Sequence, residues 1–267
     1  MRTSPVLHAR NTCLLLLCAL LCACGGGGGQ ESPQVQAPTV PASAADISLL
    51  FMGNSHTSSN DLTGMVAAMV RAVRPGKSVA NVVAPGGMFL EERVHDAQSM
   101  TLLRSQRWSA VVLQAQKYST SGLYTYSTAE AEELVRIARA AGSLPVMFPE
   151  WPQRGIEETQ RIYDLHVSIA QRATACVAPI GQAWDLALAR NPSLVLHAAD
   201  GNHSAPAGAF LAALVLFATL TDESPLRVPD LPQFDIAASL QRELREIAAE
   251  TLVLVPARQW CAVDPVI

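Results

Sequence analysis

The chain has 267 residues, of which 49% are apolar and only 16% charged, so an intrinsically disordered protein is excluded. Its length suffices for one α/β domain of ordinary size with a substantial core. The formal net charge is -4 at pH 7, and no excess of basic residues favours nucleic acid as a partner.

The N-terminus has the pattern of a secretory signal. Arg2 and Arg10 precede a leucine-rich block at 13–21, which is too short for a membrane span. The block ends in Leu-Cys-Ala-Cys before a run of glycines, and it resembles the lipobox of bacterial lipoproteins. One departure is the cysteine at position 22, where another small residue is usual. The resemblance implies a signal peptide over 1–23 and a lipidated Cys24; an ordinary signal peptide cut nearby is the alternative.

The segment after the signal reads as a tether. Residues 24–45 are rich in Gly, Pro, Gln, Ala and Ser and have scarcely a large apolar side chain. We therefore expect a monomeric domain over 46–267, anchored to a membrane through Cys24 and facing the periplasm or the exterior. Two further cysteines, Cys176 and Cys261, can pair in an oxidising compartment, and two buried thiols are an equal alternative.

Strand-like and helix-like segments alternate through the rest of the chain. Short apolar runs predict five strands, at 47–53, 78–84, 109–114, 144–148 and 176–180. Apolar-periodic segments predict helices at 61–74, 89–105, 128–141, 156–173, 182–190, 206–220 and 233–250. This alternation predicts a single three-layer α/β/α sandwich around a five-stranded parallel sheet, with the last helix as a cover.

The turn after the first strand carries the first candidate for chemistry. Gly53, Asn54 and Ser55 follow a strand that is apolar enough to be buried on both faces. At the carboxyl edge of a parallel sheet, a serine before a helix can act as a nucleophile, since its own N–H and the helix dipole favour an oxyanion. A turn serine that caps the helix is the alternative.

The next two strands bring further polar groups to the same edge. Gly86 and Gly87 follow the second strand, and backbone N–H groups of paired glycines can approach a ligand closely. Gln114 ends the third strand and Gln116 follows it, and a neutral amide NH₂ is a good oxyanion donor. A helix-leading turn and surface glutamines are the respective alternatives.

An Asp-x-x-His sequence precedes the helix predicted at 206–220. The spacing of Asp200 and His203 lets the carboxylate fold back on the imidazole, fix its tautomer and leave the other ring nitrogen free as a base. The alternative is a turn-forming aspartate beside a surface histidine.

Taken together, these pieces resemble the SGNH (GDSL-type) hydrolase superfamily, named for its serine, glycine, asparagine and histidine in four blocks. The first block, a Gly-Asp-Ser-like tripeptide after the first strand, is matched by Gly53, Asn54 and Ser55. The last block, Asp-x-x-His, is matched by Asp200 and His203, and its order, spacing and place near the C-terminus make it the most specific signal.

The middle blocks complete the resemblance and also depart from it. The second-block glycine corresponds to Gly86 or Gly87, whose N–H would join that of Ser55 in an oxyanion hole. The third block of the family is Gly-x-Asn, and here Gln116 takes the place of the asparagine. Gln114 would do so if the loop differs. The departure puts the third oxyanion donor in question.

The resemblance covers roughly residues 46–222. It implies a flavodoxin-like α/β/α fold and a carboxylic ester hydrolase in which Ser55 attacks the ester, His203 takes its proton and Asp200 orients the imidazole. It requires no metal and no organic cofactor.

Other polar and aromatic residues are weaker candidates for a functional site. The Gly-Asn-His that ends at His203 also resembles that of metallophosphoesterases, but the acidic residue that should follow and the earlier Asp-x-His are missing. We expect His56, His95 and His166 to be exposed and not catalytic. At the same edge as the candidate site, Trp151 is a possible wall of the substrate pocket, with a core-capping role as the alternative.

The sequence thus predicts a serine esterase that removes O-acetyl or other short acyl groups from a carbohydrate or cell-envelope substrate. Asn54, beside the nucleophile, is a second possible pocket residue. Because the third-block asparagine is replaced, the alternative is a catalytically degenerate lipoprotein that keeps the fold and binds glycan or peptidoglycan.

Overall fold

A computed structural model describes residues 41–267. The predicted signal peptide, Cys24 and most of the tether lie outside the described residues. A turn of 3₁₀ helix, Ala42–Ala44, comes just before the first strand, and Ala42 packs against buried side chains, so the packed region begins slightly before the predicted boundary at 46. Over residues 41–267, no helix is both long and apolar enough to cross a membrane.

The centre of the fold is a five-stranded sheet in which every pair is parallel. The strands are β1 Ile47–Met52, β2 Val79–Val83, β3 Ala110–Gln114, β4 Leu144–Phe148 and β5 Cys176–Val177. They lie in the order β2-β1-β3-β4-β5, and all six residues of β1 are buried because helices cover both faces of the sheet. The predicted three-layer α/β/α architecture is confirmed. The last strand is shorter than predicted, since α7 already begins at Ile180.

Nine α-helices occur in residues 41–267. They are α1 Ser55–Ser58, α2 Leu62–Val73, α3 Leu90–Arg93, α4 Ala97–Arg104, α5 Ala129–Ala140, α6 Thr159–Arg172, α7 Ile180–Arg190, α8 Pro206–Thr221 and α9 Ala238–Leu254. The single helix predicted at 89–105 is wrong. It is interrupted because the side chain of Asp96 accepts a hydrogen bond from the N–H of Ser99 (2.7 Å) and caps a new helix, α4.

The helix that follows the predicted histidine loop is the core of one layer. Every residue of α8 from Gly208 to Thr221 is buried, and α2, α7, α9 and β4 all pack against it. A helix that is apolar on all sides is stable only in such an interior position. The loop immediately before α8 is therefore attached to one of the most rigidly packed elements of the domain.

A disulfide joins β5 to the C-terminal segment. Cys176 and Cys261 are both buried, their Cα atoms are 5.0 Å apart, and their sulfur atoms are bonded. Of the two alternatives open at the level of sequence, the structure thus has the paired form. The bond closes a loop with a sequence separation of 85 residues.

Removing this disulfide is expected to lower the melting temperature substantially. Replacing both Cys176 and Cys261 with alanine releases the constraint on the unfolded chain, and we expect the melting temperature to fall by about 4–16 °C. Thermal unfolding followed by circular dichroism measures this. A reductant should lower the melting temperature of the parent and leave that of the double variant unchanged; equal values for both proteins without reductant would contradict the expectation.

Candidate active site

The nucleophile candidate sits where β1 turns into α1. Ser55 is the first residue of α1 and is exposed, and Asn54 caps the helix by accepting a hydrogen bond from the N–H of His56 at 3.1 Å. Gly53 is required at this turn, because a Cβ there would lie 2.2 Å from Oγ1 of Thr57 and 2.5 Å from Oε1 of Gln114. The sequence therefore places Ser55 at the carboxyl edge of the sheet, in an exposed position.

The structure brings three of the predicted residues together in a hydrogen-bonded chain. Nε2 of His203 lies 2.8 Å from Oγ of Ser55, and Nδ1 of His203 lies 2.6 Å from Oδ2 of Asp200. The other carboxylate oxygen of Asp200 accepts hydrogen bonds from the N–H groups of Asn202 (2.9 Å) and His203 (3.0 Å). The carboxylate is thus held in one orientation, and it fixes the proton of the imidazole on Nδ1.

The electrostatics keep the aspartate ionised. The hydrogen bond from His203, reinforced by the backbone N–H groups of Asn202 and His203, holds the pKa of Asp200 well below its usual range. Asp200 is therefore a carboxylate at neutral pH, as required of a group that stabilises an imidazolium.

A second histidine packs against this chain. The prediction that His56 is exposed is wrong: its ring is buried and stacks on that of His203, with centroids 5.1 Å apart. Burial, followed by the charge of the neighbouring His203, lowers the pKa of His56 to about 4. His56 is thus neutral at pH 7 and supports the His203 ring without competing for protons.

Three side chains anchor the loop that carries Asp200 and His203. Nε1 of Trp151 donates to the carbonyl of Asn202 at 2.8 Å. Nδ2 of Asn60, shortly after Ser55, donates to the carbonyl of Ser204 at 2.7 Å, and Arg154 donates to a carbonyl earlier in the loop. The loop is therefore tied both to the segment of the nucleophile and to the end of β4.

The interpretation of Trp151 as a pocket wall is wrong. Its side chain is only 1% exposed and stacks on Trp184, with ring centroids 4.7 Å apart. Trp151 belongs to the core beneath the histidine loop, in line with the core alternative. Asn54, the other pocket candidate, is half-buried and has its amide oxygen engaged as the helix cap.

Two backbone N–H groups are available to an oxyanion. A Cβ on Gly87 would lie 4.0 Å from the backbone nitrogen of Ser55, so the loop after β2 runs directly beside the nucleophile. Within residues 41–267, no group accepts a hydrogen bond from the N–H of Ser55 or of Gly87. Gly86, the other candidate, has a left-handed φ of 71° and forms the turn that leads into Gly87.

Gln114 does not supply the predicted third donor. Its side chain is fully buried, and its Nε2 donates to Oε2 of Glu150 at 2.6 Å. Its Oε1 accepts from the N–H of Asn54 and from the hydroxyl of Thr57, both at 2.9 Å. Because both donors lie in the segment around Ser55, Gln114 holds that segment in place and does not face a substrate.

Gln116 does not supply the third donor either. Both hydrogens of its Nε2 are used by backbone carbonyls, those of Lys117 and Ser127, each at 2.9 Å. The side chain is buried, and it holds together the two ends of the long loop after β3.

Glu150, which accepts the hydrogen bond from Gln114, has a raised pKa. Burial raises the pKa of Glu150 to about 7, with a smaller contribution from the charge of Glu158. The folded protein thus keeps this proton over a pH range in which the unfolded chain, with an ordinary glutamate pKa of about 4.3, has lost it. As the pH rises from the pKa of the unfolded state through that of the folded state, Glu150 therefore lowers the free energy of unfolding.

Replacing Glu150 with glutamine should remove that pH dependence. Relative to the parent, we expect the variant to gain stability of the order of 2 kcal/mol between about pH 5 and about pH 8, since glutamine does not titrate and can still accept from Gln114. Urea unfolding over this pH range measures the difference. Glu157→Gln, at an exposed position, is the control. Parallel pH profiles for parent and Glu150→Gln would disprove the expectation.

The remaining histidines take no part in the site. His95 is exposed, as predicted, and lies in the turn between α3 and α4. The prediction for His166 is wrong: it is buried in α6, where Nδ1 lies 2.8 Å from the carbonyl of Ile162, and burial lowers its pKa to about 4. In the part of the chain that the structure describes, no group of three or more His, Cys, Asp or Glu side chains is arranged to hold a metal ion.

Three residues that shape the site have no predicted role. Glu150 follows β4, so its position at this edge is readable from the sequence. Thr57 lies two residues after Ser55 and meets Gln114 only in three dimensions. Arg93 is fully buried beneath the glycine loop, although in the polar run Leu-Glu-Glu-Arg it reads as a solvent-exposed residue.

A parallel α/β/α fold with a serine, a histidine and an aspartate at the carboxyl edge of the sheet is an arrangement expected of the SGNH hydrolases. No family model matches the chain, and no curated protein does. Among solved structures, the chain is similar to an SGNH hydrolase from Slackia heliotrinireducens, with 28% identity over 64% of this chain and 97% of that one and a TM-score of 0.51.

Two further solved structures show the same fold. A DUF4886 family protein from Bacteroides uniformis has 18% identity and a TM-score of 0.60 over 82% of this chain and 99% of that one. A GDSL-like lipase from Parabacteroides merdae has 12% identity and a TM-score of 0.51 over 67% of this chain and 96% of that one. The resemblance to SGNH hydrolases is confirmed at the level of the fold, and the neighbour from Slackia heliotrinireducens supports a hydrolase.

Proposed function

We propose that this chain is a serine esterase that removes O-acetyl or other short acyl groups from a carbohydrate or another component of the cell envelope. The observation that carries the proposal is the pair of hydrogen bonds from Ser55 to His203 (2.8 Å) and from His203 to Asp200 (2.6 Å). A serine, a base and a group that orients the base, each within hydrogen-bond distance of the next, are what nucleophilic catalysis requires.

The reaction follows from this geometry. Oγ of Ser55 attacks the ester carbonyl while Nε2 of His203 accepts the hydroxyl proton, and Asp200 stabilises the imidazolium. The N–H groups of Ser55 and Gly87 bind the oxyanion. When the tetrahedral intermediate collapses, His203 gives its proton to the departing alcohol. Water, deprotonated by the same imidazole, then releases the acyl group and restores Ser55.

The exposure of the site supports a bulky alcohol component. The side chains of His203 and Asp200 are 33% and 50% exposed, so the carbonyl can be reached without enclosing the whole substrate. A polysaccharide or another polymer with small acyl substituents fits such an open edge. A lipid anchor at Cys24, facing the periplasm or the exterior, would keep the esterase beside envelope substrates of this kind.

A degenerate, glycan-binding lipoprotein remains the second candidate function. It is favoured by the two glutamine amides, neither of which faces an oxyanion. Loss of one such donor typically slows an enzyme by about 100- to 1000-fold, which leaves measurable catalysis. The hydrogen-bonded Ser55, His203 and Asp200 therefore favour the esterase.

Covalent labelling distinguishes the two candidates directly. The purified full-length chain is treated with a fluorophosphonate probe, and peptides are examined by mass spectrometry for the adduct on Ser55, with the exposed Ser58 in the same helix as internal control. Acetate release from O-acetylated polysaccharides is measured in parallel. We expect an adduct on Ser55 and release of acetate. Glycan binding with no adduct and no acetate would instead favour the degenerate protein.

A further inference from the structure

A fully buried arginine lies under the two loops that form the candidate oxyanion hole. The side chain of Arg93 has no exposed surface, and no carboxylate in residues 41–267 forms an ion pair with it. Buried guanidinium groups normally require a carboxylate partner or a full set of hydrogen-bond acceptors. The groups that accept hydrogen bonds from Arg93 therefore indicate the role of its side chain.

The guanidinium binds backbone carbonyls from both loops. Nη2 donates to the carbonyls of Gly53, before the nucleophile, and Gly86, after β2, each at 2.5 Å. Nη1 donates to the carbonyl of Pro85 at 3.1 Å and to Oγ of Ser99 at 2.9 Å. All four Nη–H groups are thus used, whereas the buried Nε–H has no acceptor in residues 41–267, and three of the Nη–H groups tie the loop after β1 to the loop after β2.

Because the peptide group is planar, the hydrogen bond to the carbonyl of Gly86 also fixes the direction of the N–H of Gly87. In a trans peptide the C=O and the following N–H point in opposite directions. Because the carbonyl of Gly86 points to Arg93, the N–H of Gly87 points away from it, and Gly87 lies beside the backbone nitrogen of Ser55. The same holds for Gly53: its carbonyl faces Arg93, and the next N–H, that of Asn54, faces Gln114.

We propose that Arg93 is a positioning residue for ester hydrolysis, which holds the Gly86–Gly87 peptide so that the N–H of Gly87 faces the oxyanion formed at Ser55. This inference rests on the proposed function. The charged hydrogen bond to the carbonyl of Gly86 also polarises that peptide and makes the N–H of Gly87 a stronger donor. Since neither glutamine reaches the site, we assign oxyanion binding to the two backbone N–H groups of Ser55 and Gly87.

Lysine cannot replace this function. The planar fork of an arginine presents four Nη–H groups in one plane, whereas an ammonium group has three donors around a point charge. In Arg93→Lys, at least one of the four acceptors loses its donor, and without the planar fork the Gly86–Gly87 peptide is no longer held in one orientation. A misplacement of about 1 Å at a catalytic group costs about 100-fold in rate.

The test compares Arg93→Lys and Ser99→Ala with the parent in the full-length chain, with p-nitrophenyl acetate as substrate. We expect Arg93→Lys to lower kcat by about 100-fold with little change in KM, since the loss affects the transition state alone. Ser99→Ala removes one acceptor and keeps the guanidinium, so we expect the variant to fold and its kcat to fall by about 2- to 10-fold. The control is Arg245→Lys, a mostly buried arginine on α9 that pairs with Asp230 and lies outside the site.

Each outcome decides the inference. A lower kcat in folded Arg93→Lys at the KM of the parent, with Arg245→Lys unaffected, supports it, whether or not Ser99→Ala is also slower. If folded Arg93→Lys turns over at the rate of the parent, or if its KM rises while kcat stays constant, Arg93 has no role in positioning the oxyanion donor. If Arg93→Lys does not fold, the kcat of Ser99→Ala alone decides. Turnover in the parent that does not depend on Ser55 would overturn the proposed function as well, and Ser55→Ala is included to detect it.

Discussion

Ser55→Ala and His203→Ala are each expected to lower kcat for p-nitrophenyl acetate by about 10⁶-fold, to the background rate of the assay. Removing Oγ of Ser55 removes the attacking atom. Removing the imidazole leaves that hydroxyl without a base, because the neighbouring His56, which stacks on His203, is buried and has its pKa lowered to about 4. The double variant should be no slower than either single variant, since the two groups act as a unit.

Two controls separate this effect from misfolding. Ser58→Ala changes an exposed serine three residues further along α1, and His95→Ala changes an exposed histidine between α3 and α4. Both should hydrolyse the ester at the rate of the parent, and all four variants should melt within a few degrees of it. Substantial turnover by folded Ser55→Ala would mean that a different residue performs the attack.

Asp200→Asn is expected to lower kcat by about 10⁴-fold with the fold intact. The reason is the orientation that the loop imposes on residue 200. Oδ1 of Asp200 accepts two backbone N–H groups, so the oxygen of an asparagine must occupy that place and its NH₂ must face Nδ1 of His203. Nδ1 then becomes the acceptor and the proton resides on Nε2, which can no longer take the proton of Ser55.

Steady-state kinetics of Asp200→Asn, with its melting temperature, measure this effect. Asp222→Asn is the matched control: this exposed aspartate ends α8 with a left-handed φ of 57°, a conformation that asparagine tolerates. It should leave kcat unchanged. A kcat for Asp200→Asn within a factor of about ten of the parent would show that the carboxylate does not set the tautomer.

Much of the fold is determined locally and was predictable. Strands such as β1 are continuous apolar runs between turn residues, and helices such as α5 carry their own periodicity and acidic first turn, so their places and the parallel sheet follow from the order of the segments. Ser55, Asp200 and His203 were also predictable, because each stands in a short motif, one at the end of the first strand and one before a late helix, and the two motifs together resemble those of the SGNH hydrolases.

Contacts between segments far apart in the chain were not predictable. The directions of Gln114 and Gln116 depend on donors and acceptors from other loops, so their predicted role as oxyanion donors is wrong. Trp151 looks the same in sequence whether it lines a pocket or packs on Trp184. The break between α3 and α4 depends on a single cap at Asp96 within an otherwise continuous periodic segment.

The amino-acid sequence by itself thus determined the class of fold and the three residues proposed for the chemistry, because periodicity, turn residues and motif spacing are local properties. Only the tertiary structure decided what surrounds them: the disulfide, the neutral His56 against His203, and the buried Arg93 that ties Gly53 to Gly86. Burial and hydrogen-bond direction depend on which segments meet in space, and a polar residue carries no local sign of being enclosed.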